Sequence, residues 1–478
     1  MHLHSILWFG LGVAVTTYFY RRIMGPTAVA GLAVLLFALD DAHGFPVAWI
    51  ANRNGVISFC LGMITLFYFV QWRQTKQRRA RNLALLCFGL TLLAAEAGVA
   101  ALPYLVAYLL ILDRETIANR VRALAPFLLI FLLWLAIHRL LGYGERGTGL
   151  YLDPLSAPLY FLRSIVERVP ILLLSQWALP PAGLYAYLPV SYQQGWWVLA
   201  VIVVGGIAYA LGRALRHDRI ARFWAIGMGL ALIVACTSQP GERLLWFVGI
   251  GGMGLLAQWM AKLWHTVRTS AVRSMRRRFA WSTLLALGLI HFIHAPIFLS
   301  REARLMAAGA TIAQAIDSLP VDEAFRMQTA VVVNEPLFFY SSYALPARSI
   351  EAKPFPLRLR HLVSTFNAIE ITRPSANQLL IRPQGGFLVE GARLARAPTM
   401  PIALAGAPWA RFELTDMIVE VTSIDEQGQP NAALFTFAMP LEDPAIRWLT
   451  WDQATGKFVD FPLPAIGATI KLPPLVEF

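Results

Sequence analysis

The chain has 478 residues, of which 57% are hydrophobic and 14% charged, and it carries a net charge of +13. Soluble domains carry about 25% charged residues, so a wholly soluble chain is excluded. Nucleic-acid binding is excluded as well, because the excess charge is not gathered on one soluble face. Residues 1–300 hold 26 Lys/Arg against 10 Asp/Glu, while residues 301–478 hold 15 against 18. Two environments therefore meet near Ser300. The expected architecture is an α-helical polytopic membrane bundle over 1–300, followed by a small all-β or α+β extracytoplasmic domain over 301–478.

A membrane-crossing helix needs about 20 mainly apolar residues. In chain order the apolar runs are 4–20, 26–39, 56–72, 82–95, 98–112, 124–141, 156–176, 195–212, 223–238, 243–261 and 280–299. The first ends in Arg21-Arg22 rather than at a small-residue cleavage site, so it reads as a membrane helix and not a signal peptide. The run 156–176 carries Arg163, Glu167 and Arg168, which predicts an amphipathic or re-entrant helix instead of a crossing. About ten crossings remain.

Basic residues alternate between the connections. One set is Arg21-Arg22; Arg73, Lys76, Arg78, Arg79 and Arg81; Arg114, Arg120 and Arg122; Arg213, Arg216, Arg219 and Arg222; and Lys262, Arg268, Arg273 and Arg276-Arg277-Arg278. The other connections and helix ends share only Arg53, Arg139, Arg146, Arg163, Arg168 and Arg243. The positive-inside rule puts the first set in the cytoplasm of a multi-pass protein of the cell inner membrane. The N-terminus and everything after Ser300 then lie outside. The outer connections are 40–55, 96–97, 142–194 and 239–242. The third is rich in tyrosine and reads either as an interfacial belt or as a platform for lipid or sugar.

Past Ser300 the pattern changes. Residues 302–318 predict a linker helix. Strands are then expected at Thr329–Val333, Leu337–Tyr340, Ile369–Thr372, Gln378–Ile381, Ala410–Leu414, Met417–Ser423, Ala433–Phe437 and Lys457–Phe461, punctuated by Pro, Gly and Asn. These predict a small sandwich or barrel. Cys60, Cys87 and Cys236 all lie in apolar runs, so they read as buried hydrophobes with no metal spacing.

Ionisable groups near a membrane core are costly and mark candidate sites. Three places qualify, all on the outer side. The first is Asp40-Asp41-Ala-His43, followed by Asn52 and Arg53. A carboxylate there can serve as a general base or hold a divalent cation, and Arg53 can bind a phosphate in bidentate fashion. Equally, an Asp40 or Asp41 pair with Arg53 would simply fix the loop. The second is Glu96, which either meets a partner from another helix or sits in a turn at the water boundary. The third is Arg243, in the turn Ser238–Arg243, which binds phosphate or pairs with Glu242.

The stretch FALDDAHGFPVAWIANRNGVISFCLGMITLFY, residues 37–68, resembles a recurring segment of GT-C type membrane glycosyltransferases. Val47, Trp49, Ile50, Ala51 and Arg53 match its Val-Trp-Ile-Ala-x-Arg run, and Asp41 to Pro46 replace its His-Pro. In LLAAEAGVAALPYLVAYLLILDR, residues 92–114, Glu96 and Pro103 match, and Ala95 stands where Lys is common. The resemblance covers roughly residues 1–260. It implies transfer of a sugar from a polyprenyl-phosphate donor, outside the cytoplasmic membrane, to a lipid, glycan or protein acceptor. It further implies Asp40 and Asp41 as catalytic carboxylates and His43, Asn52, Arg53, Glu96 and Arg243 as substrate-binding residues. The family's first helix and its acidic outer loop have no counterpart here. That difference supports a second expectation: a catalytically inactive membrane component that binds a glycan or partner protein through its C-terminal domain.

Overall fold

The computed structural model describes residues 2–144, 151–187, 190–271, 274–305, 309–336, 339–387, 411–425 and 430–475. It divides into two compact units, Met1–Met306 and Ala307–Phe478.

The first unit is helical. Its helices are α1 (His2–Met24), α2 (Ala28–Ala38), α3 (Gly44–Ala48), α4 (Arg53–Thr75), α5 (Arg78–Ala94), α6 (Leu102–Ile111), α7 (Ile117–Leu140), α8 (Pro158–Trp177), α9 (Val190–His217), α10 (Arg219–Ala235), α11 (Leu245–Thr269), α12 (Met275–Leu289) and α13 (Ala295–Leu305). Among the described residues, six helices or continuous helical stretches are long and apolar enough to cross a membrane, and a seventh forms if the bent pair 28–38 and 41–48 is one span. The chain is therefore a multi-pass membrane protein. The run 156–176 becomes α8, which buries Phe161, Ser164, Arg168, Ile171 and Leu172 and exposes Leu159, Leu162 and Val166. A short π-helical segment, Ile290–His294, joins α12 to α13.

α11 is the central helix, with most of its first three turns buried. Its glycines let neighbours approach the backbone closely. A methyl group at Gly251 would sit 2.6 Å from the Trp224 carbonyl, and one at Gly254 would sit 2.9 Å from the Trp224 ring. Side-chain donors from three other helices bond its carbonyls. The Tyr104 hydroxyl donates to Phe247 O at 2.6 Å, the Tyr20 hydroxyl donates to Ile250 O at 2.6 Å, and the Trp177 indole donates to Gly252 O at 3.2 Å. Each satisfies a polar group that would otherwise be costly in a dry interior.

The basic turns gather at one end of this unit. The Arg22 guanidinium donates to Gln74 at 2.9 Å, Arg73 pairs with Asp113 at 2.7 Å, and Arg219 donates to Ile111 O. Both side chains of the Arg73–Asp113 pair are buried. The opposite end of the unit contains the N-termini of α4 and α11 and the C-termini of α5, α7 and α10.

The second unit contains α14 (Gly309–Asp317), β1 (Thr329–Glu335), α15 (Phe339–Ser342), α16 (Ala344–Ile350), β2 (Arg358–Ser364), β3 (Ile369–Ser375), β4 (Gln378–Pro383), β5 (Arg411–Glu413), β6 (Met417–Ile424), β7 (Pro430–Phe437), β8 (Ile446–Asp452), β9 (Lys457–Asp460) and β10 (Thr469–Leu472). The four-stranded sheet has order β2-β1-β8-β9, with β1 parallel to both β2 and β8. The six-stranded sheet is antiparallel, in order β10-β3-β4-β7-β6-β5. Alternation along β1 separates two cores. Val331 and Val333 pack with Ile371, Ile381, Phe435 and Phe437, whereas Ala330 and Val332 pack with Ile316, Leu319, Phe325 and Ala344. The unit is therefore α+β, with helices on one face of a mostly parallel sheet. The strand expected at Leu337–Tyr340 is not formed at its described end, because Phe339 and Tyr340 open α15; residues 337–338 lie outside the described residues. The linker helix expected over 302–318 is divided between the end of α13 and α14, and residues 306–308 lie outside the described residues.

Glu335 closes β1 fully buried, and its carboxylate accepts from the Ser341 amide at 2.8 Å and hydroxyl at 2.5 Å. Burial outweighs these bonds and pushes the carboxyl up to about 7. Between the ordinary glutamate value and about 7, the folded unit keeps a proton that the unfolded chain has lost, so stability falls as pH rises. The fall amounts to about 3 kcal/mol. Calorimetry of the full chain at pH 5 and pH 8 is expected to show the second unit's transition at a lower temperature at pH 8, and Glu335→Gln is expected to flatten that difference.

Candidate functional site

At the end of the bundle opposite the basic turns lies a cavity of about 660 Å³. Its polar lining includes Asn52 and Asn54 at the start of α4, Glu96 after α5, His138 near the end of α7, and Ser238 and Arg243 between α10 and α11. Aromatic walls come from Trp134, Tyr143, Tyr151 and Trp246. The volume falls within the range of sites for small organic ligands.

Helix ends create this arrangement. α4 and α11 both begin at the cavity, so their amide-rich, positive ends lie beside it. α5 stops at Ala94, and Glu96–Ala101 forms a short 3₁₀ helix that leads into α6. Gly98 makes that turn possible, since a methyl group there would sit 2.5 Å from Thr91 Cγ2 and 2.7 Å from Ser58 Oγ. The turn projects Glu96, whose Oε1 lies 2.7 Å from His138 Nε2. The Glu96 side chain is 57% exposed and that of His138 19%. With the Nε2 proton donated to the carboxylate, Nδ1 is left as a proton acceptor. Such a carboxylate–imidazole pair can remove a proton from a hydroxyl or amine.

Arg243 lies on the cavity wall, and its Nη2 donates to Ser238 Oγ at 3.2 Å. Its sequence neighbour Glu242 takes a different direction and accepts from the Gly183 amide at 2.8 Å. The anticipated Arg243–Glu242 pair is therefore not what holds this turn. Ser238 itself is fixed by a β-bridge to Tyr151. Arg139 and Asp153, 2.8 Å apart, join the two sides of the connection that carries Tyr143 and Tyr151.

Of the residues singled out from sequence, Asn52, Glu96 and Arg243 converge on the cavity. Asp40, Asp41, His43 and Arg53 do not line it. Asp40 is buried, with Oδ2 accepting from Gln176 Nε2 at 2.7 Å and Oδ1 accepting from the Ala42 amide. His43 is buried among Phe9, Phe37 and Trp246, stacked 4.3 Å from the Trp246 ring. His43 therefore stands behind the cavity wall, where it supports Trp246, while Asp40 is tied to α8 through Gln176. Asp41 is half-buried beside Asp40, and Arg53 Nε donates to Ser5 at 3.1 Å. Among the described residues no group of three His, Cys, Asp or Glu side chains is arranged to hold a metal ion. His138 was missed by sequence reasoning. The available signal was an ionisable residue at the end of an apolar run, on the same side as Glu96.

No protein-family model and no curated protein sequence matches the chain. Among the solved structures similar to it are two glycan-related membrane proteins. One is the oligosaccharyltransferase of Archaeoglobus fulgidus, tethered to an acceptor peptide containing the NVT sequon; it is 11% identical, with a TM-score of 0.39 over 75% of this chain and 52% of that one. The other is ArnT from Cupriavidus metallidurans bound to undecaprenyl phosphate; it is 14% identical, with a TM-score of 0.35 over 91% of this chain and 83% of that one. This chain spans about half the length of the oligosaccharyltransferase. The two stretches that carry the GT-C resemblance in the sequence, residues 37–68 and 92–114, both reach the cavity, through Asn52 and Glu96 respectively.

Proposed function

We propose that this chain is a membrane glycosyltransferase that moves a sugar from a polyprenyl-phosphate donor to a lipid, glycan or protein acceptor on the periplasmic side of the inner membrane. The observation that carries the reading is the cavity, where one cation (Arg243), a carboxylate–imidazole pair (Glu96–His138) and aromatic walls share a single enclosure. Arg243 and the starts of α4 and α11 suit the donor phosphate. Trp134, Tyr143 and Tyr151 offer apolar ring faces to the sugar and the first prenyl units. Glu96–His138 takes the acceptor proton. Asp40, enclosed by Gln176, keeps a supporting position, and Asp41 is the alternative carboxylate. A divalent cation is not required by this scheme.

In topology, the seven spans are joined by three shorter helices: α5, the stretch Glu96–Ile111, and α10. Ten crossings follow, which keep the basic turns cytoplasmic and put both the N-terminus and the second unit outside.

The test is sugar transfer from a polyprenyl-phosphate sugar in membranes containing the full chain. Arg243→Ala is expected to raise the donor KM about tenfold or more, the loss that goes with removing a charged hydrogen-bond partner. Asp41→Asn is expected to leave the rate within a few fold. A rate loss in Asp41→Asn matching that of a Glu96 variant would return the base role to the aspartate pair. Absence of transfer with every acceptor class, together with glycan binding by the second unit, would favour the inactive component instead.

A further inference from the structure

Beside the cavity, and outside its lining, sits a buried guanidinium that the scheme above does not use. Arg168 on α8 is 4% exposed, and its Nη1 donates to two backbone carbonyls, Cys236 O and Ser238 O, each at 2.8 Å. These carbonyls belong to the turn that leaves α10 after Ala235. The carbonyl between them, Thr237 O, accepts from the Leu152 amide at 2.7 Å. Ser164 Oγ, one turn before Arg168, lies 3.4 Å from Cys236 O. All three carbonyls of the turn are thus held from α8 and from the Tyr151–Leu152 segment.

This has two physical consequences for the wall. First, the C-terminal end of a helix is negative, by roughly half an elementary charge. The end of α10 lies at the cavity, since Ala235, Thr237 and Ser238 line it. An anionic ligand would meet that negative end unless a cation neutralised it, and Arg168 supplies the cation from behind. Second, Ser238 is held at both its backbone and its side chain. Its carbonyl is bonded by Arg168, and its hydroxyl receives the Arg243 guanidinium at 3.2 Å. The chain of contacts from Arg168 through Ser238 to Arg243 therefore sets where the wall cation points.

We propose that Arg168 is a positioning residue for the anionic donor: it cancels the carbonyl end of α10 and fixes the Ser238–Arg243 pair without touching the ligand. The proposal rests on the reading of the cavity as a polyprenyl-phosphate site. A lysine cannot reproduce the function, because its ammonium ends one bond nearer the backbone than Nη1 and sits on a flexible stem with no rigid plane to hold it between the two carbonyls.

The test uses purified full-length protein in lipid nanodiscs, with undecaprenyl phosphate as the probe and tryptophan fluorescence as the readout, Trp246 being on the wall. Arg168→Lys is expected to weaken binding about tenfold, Arg243→Ala comparably, and the double variant no more than Arg243→Ala alone. A merely structural role would lower the thermal midpoint in both backgrounds and leave the two binding losses additive. In transfer assays Arg168→Lys is expected to raise the donor KM with kcat and acceptor KM unchanged. Wild-type protein that binds while Arg168→Lys binds equally well, or losses that add, would overturn the positioning role alone. Wild-type protein that does not bind undecaprenyl phosphate would overturn the parent reading, and this role with it.

Discussion

Glu96→Gln is expected to reduce sugar transfer by roughly 10²–10⁴-fold, the range that follows from removing a general base. The glutamine keeps the shape of the side chain and can still bond His138, so the fold of the turn held by Gly98 is preserved. What disappears is the negative charge that stabilises the imidazolium formed when His138 accepts the acceptor proton. His138→Gln is expected to give a loss of similar size, and the double variant little more, because residues that act as one unit are not additive. Donor binding by Glu96→Gln, measured with undecaprenyl phosphate, is expected to stay near the wild-type value. Transfer within threefold of wild type in Glu96→Gln would remove this pair from the chemistry.

The second large effect is one of stability. Arg348 on α16 is fully buried and donates to four backbone carbonyls, those of Ile316, Leu319, Pro320 and Pro354. It thereby caps the end of α14 and ties the loop after α16 to it. Arg348→Met fills much of the same volume and leaves these carbonyls without their donor, each at a cost of about 1–3 kcal/mol where water cannot replace it. The expected total, roughly 4 kcal/mol, is a large share of the 5–15 kcal/mol that holds a typical domain together. The calorimetric transition of the second unit should then fall by roughly 10 °C, with the membrane unit's transition unmoved. A shift under about 3 °C would mean that water or a rearranged backbone replaces the guanidinium.

The helical bundle was legible because its signals are local. Apolar runs and basic clusters identify the helices and their ends, and the contacts among Arg22, Gln74, Arg73, Asp113, Arg219 and Ile111 bring several of those clusters to one end. Half of the site was legible for the same reason, since Glu96 and Arg243 each interrupt an apolar run on the side opposite the basic turns. What could not be read was pairing at a distance. Asp40 is tied to Gln176 across 136 positions and Glu96 to His138 across 42, and no local pattern reports either. In the second unit β2, β8 and β10 went unrecognised. β2 carries Arg358, Arg360 and His361 on an edge of its sheet, so it lacks the apolar alternation that marks a half-buried strand. The aromatic residues at 339–340 have high strand propensity, yet the Glu335 carboxylate receives the Ser341 amide and tertiary context forms a helical turn instead.

The tyrosine and tryptophan donors that grip α11 give the bundle a fixed reference axis. Sliding that helix by one register would sever the Tyr20, Tyr104 and Trp177 bonds together and drive Gly251 and Gly254 out of the only spacing that admits Trp224. α7 is the opposite case, with only Ala123 and Phe127 buried along its 24 residues. The cavity is therefore built from unequal walls: His138 rides on a helix with most of its surface exposed, and Arg243 sits just before the deeply buried α11.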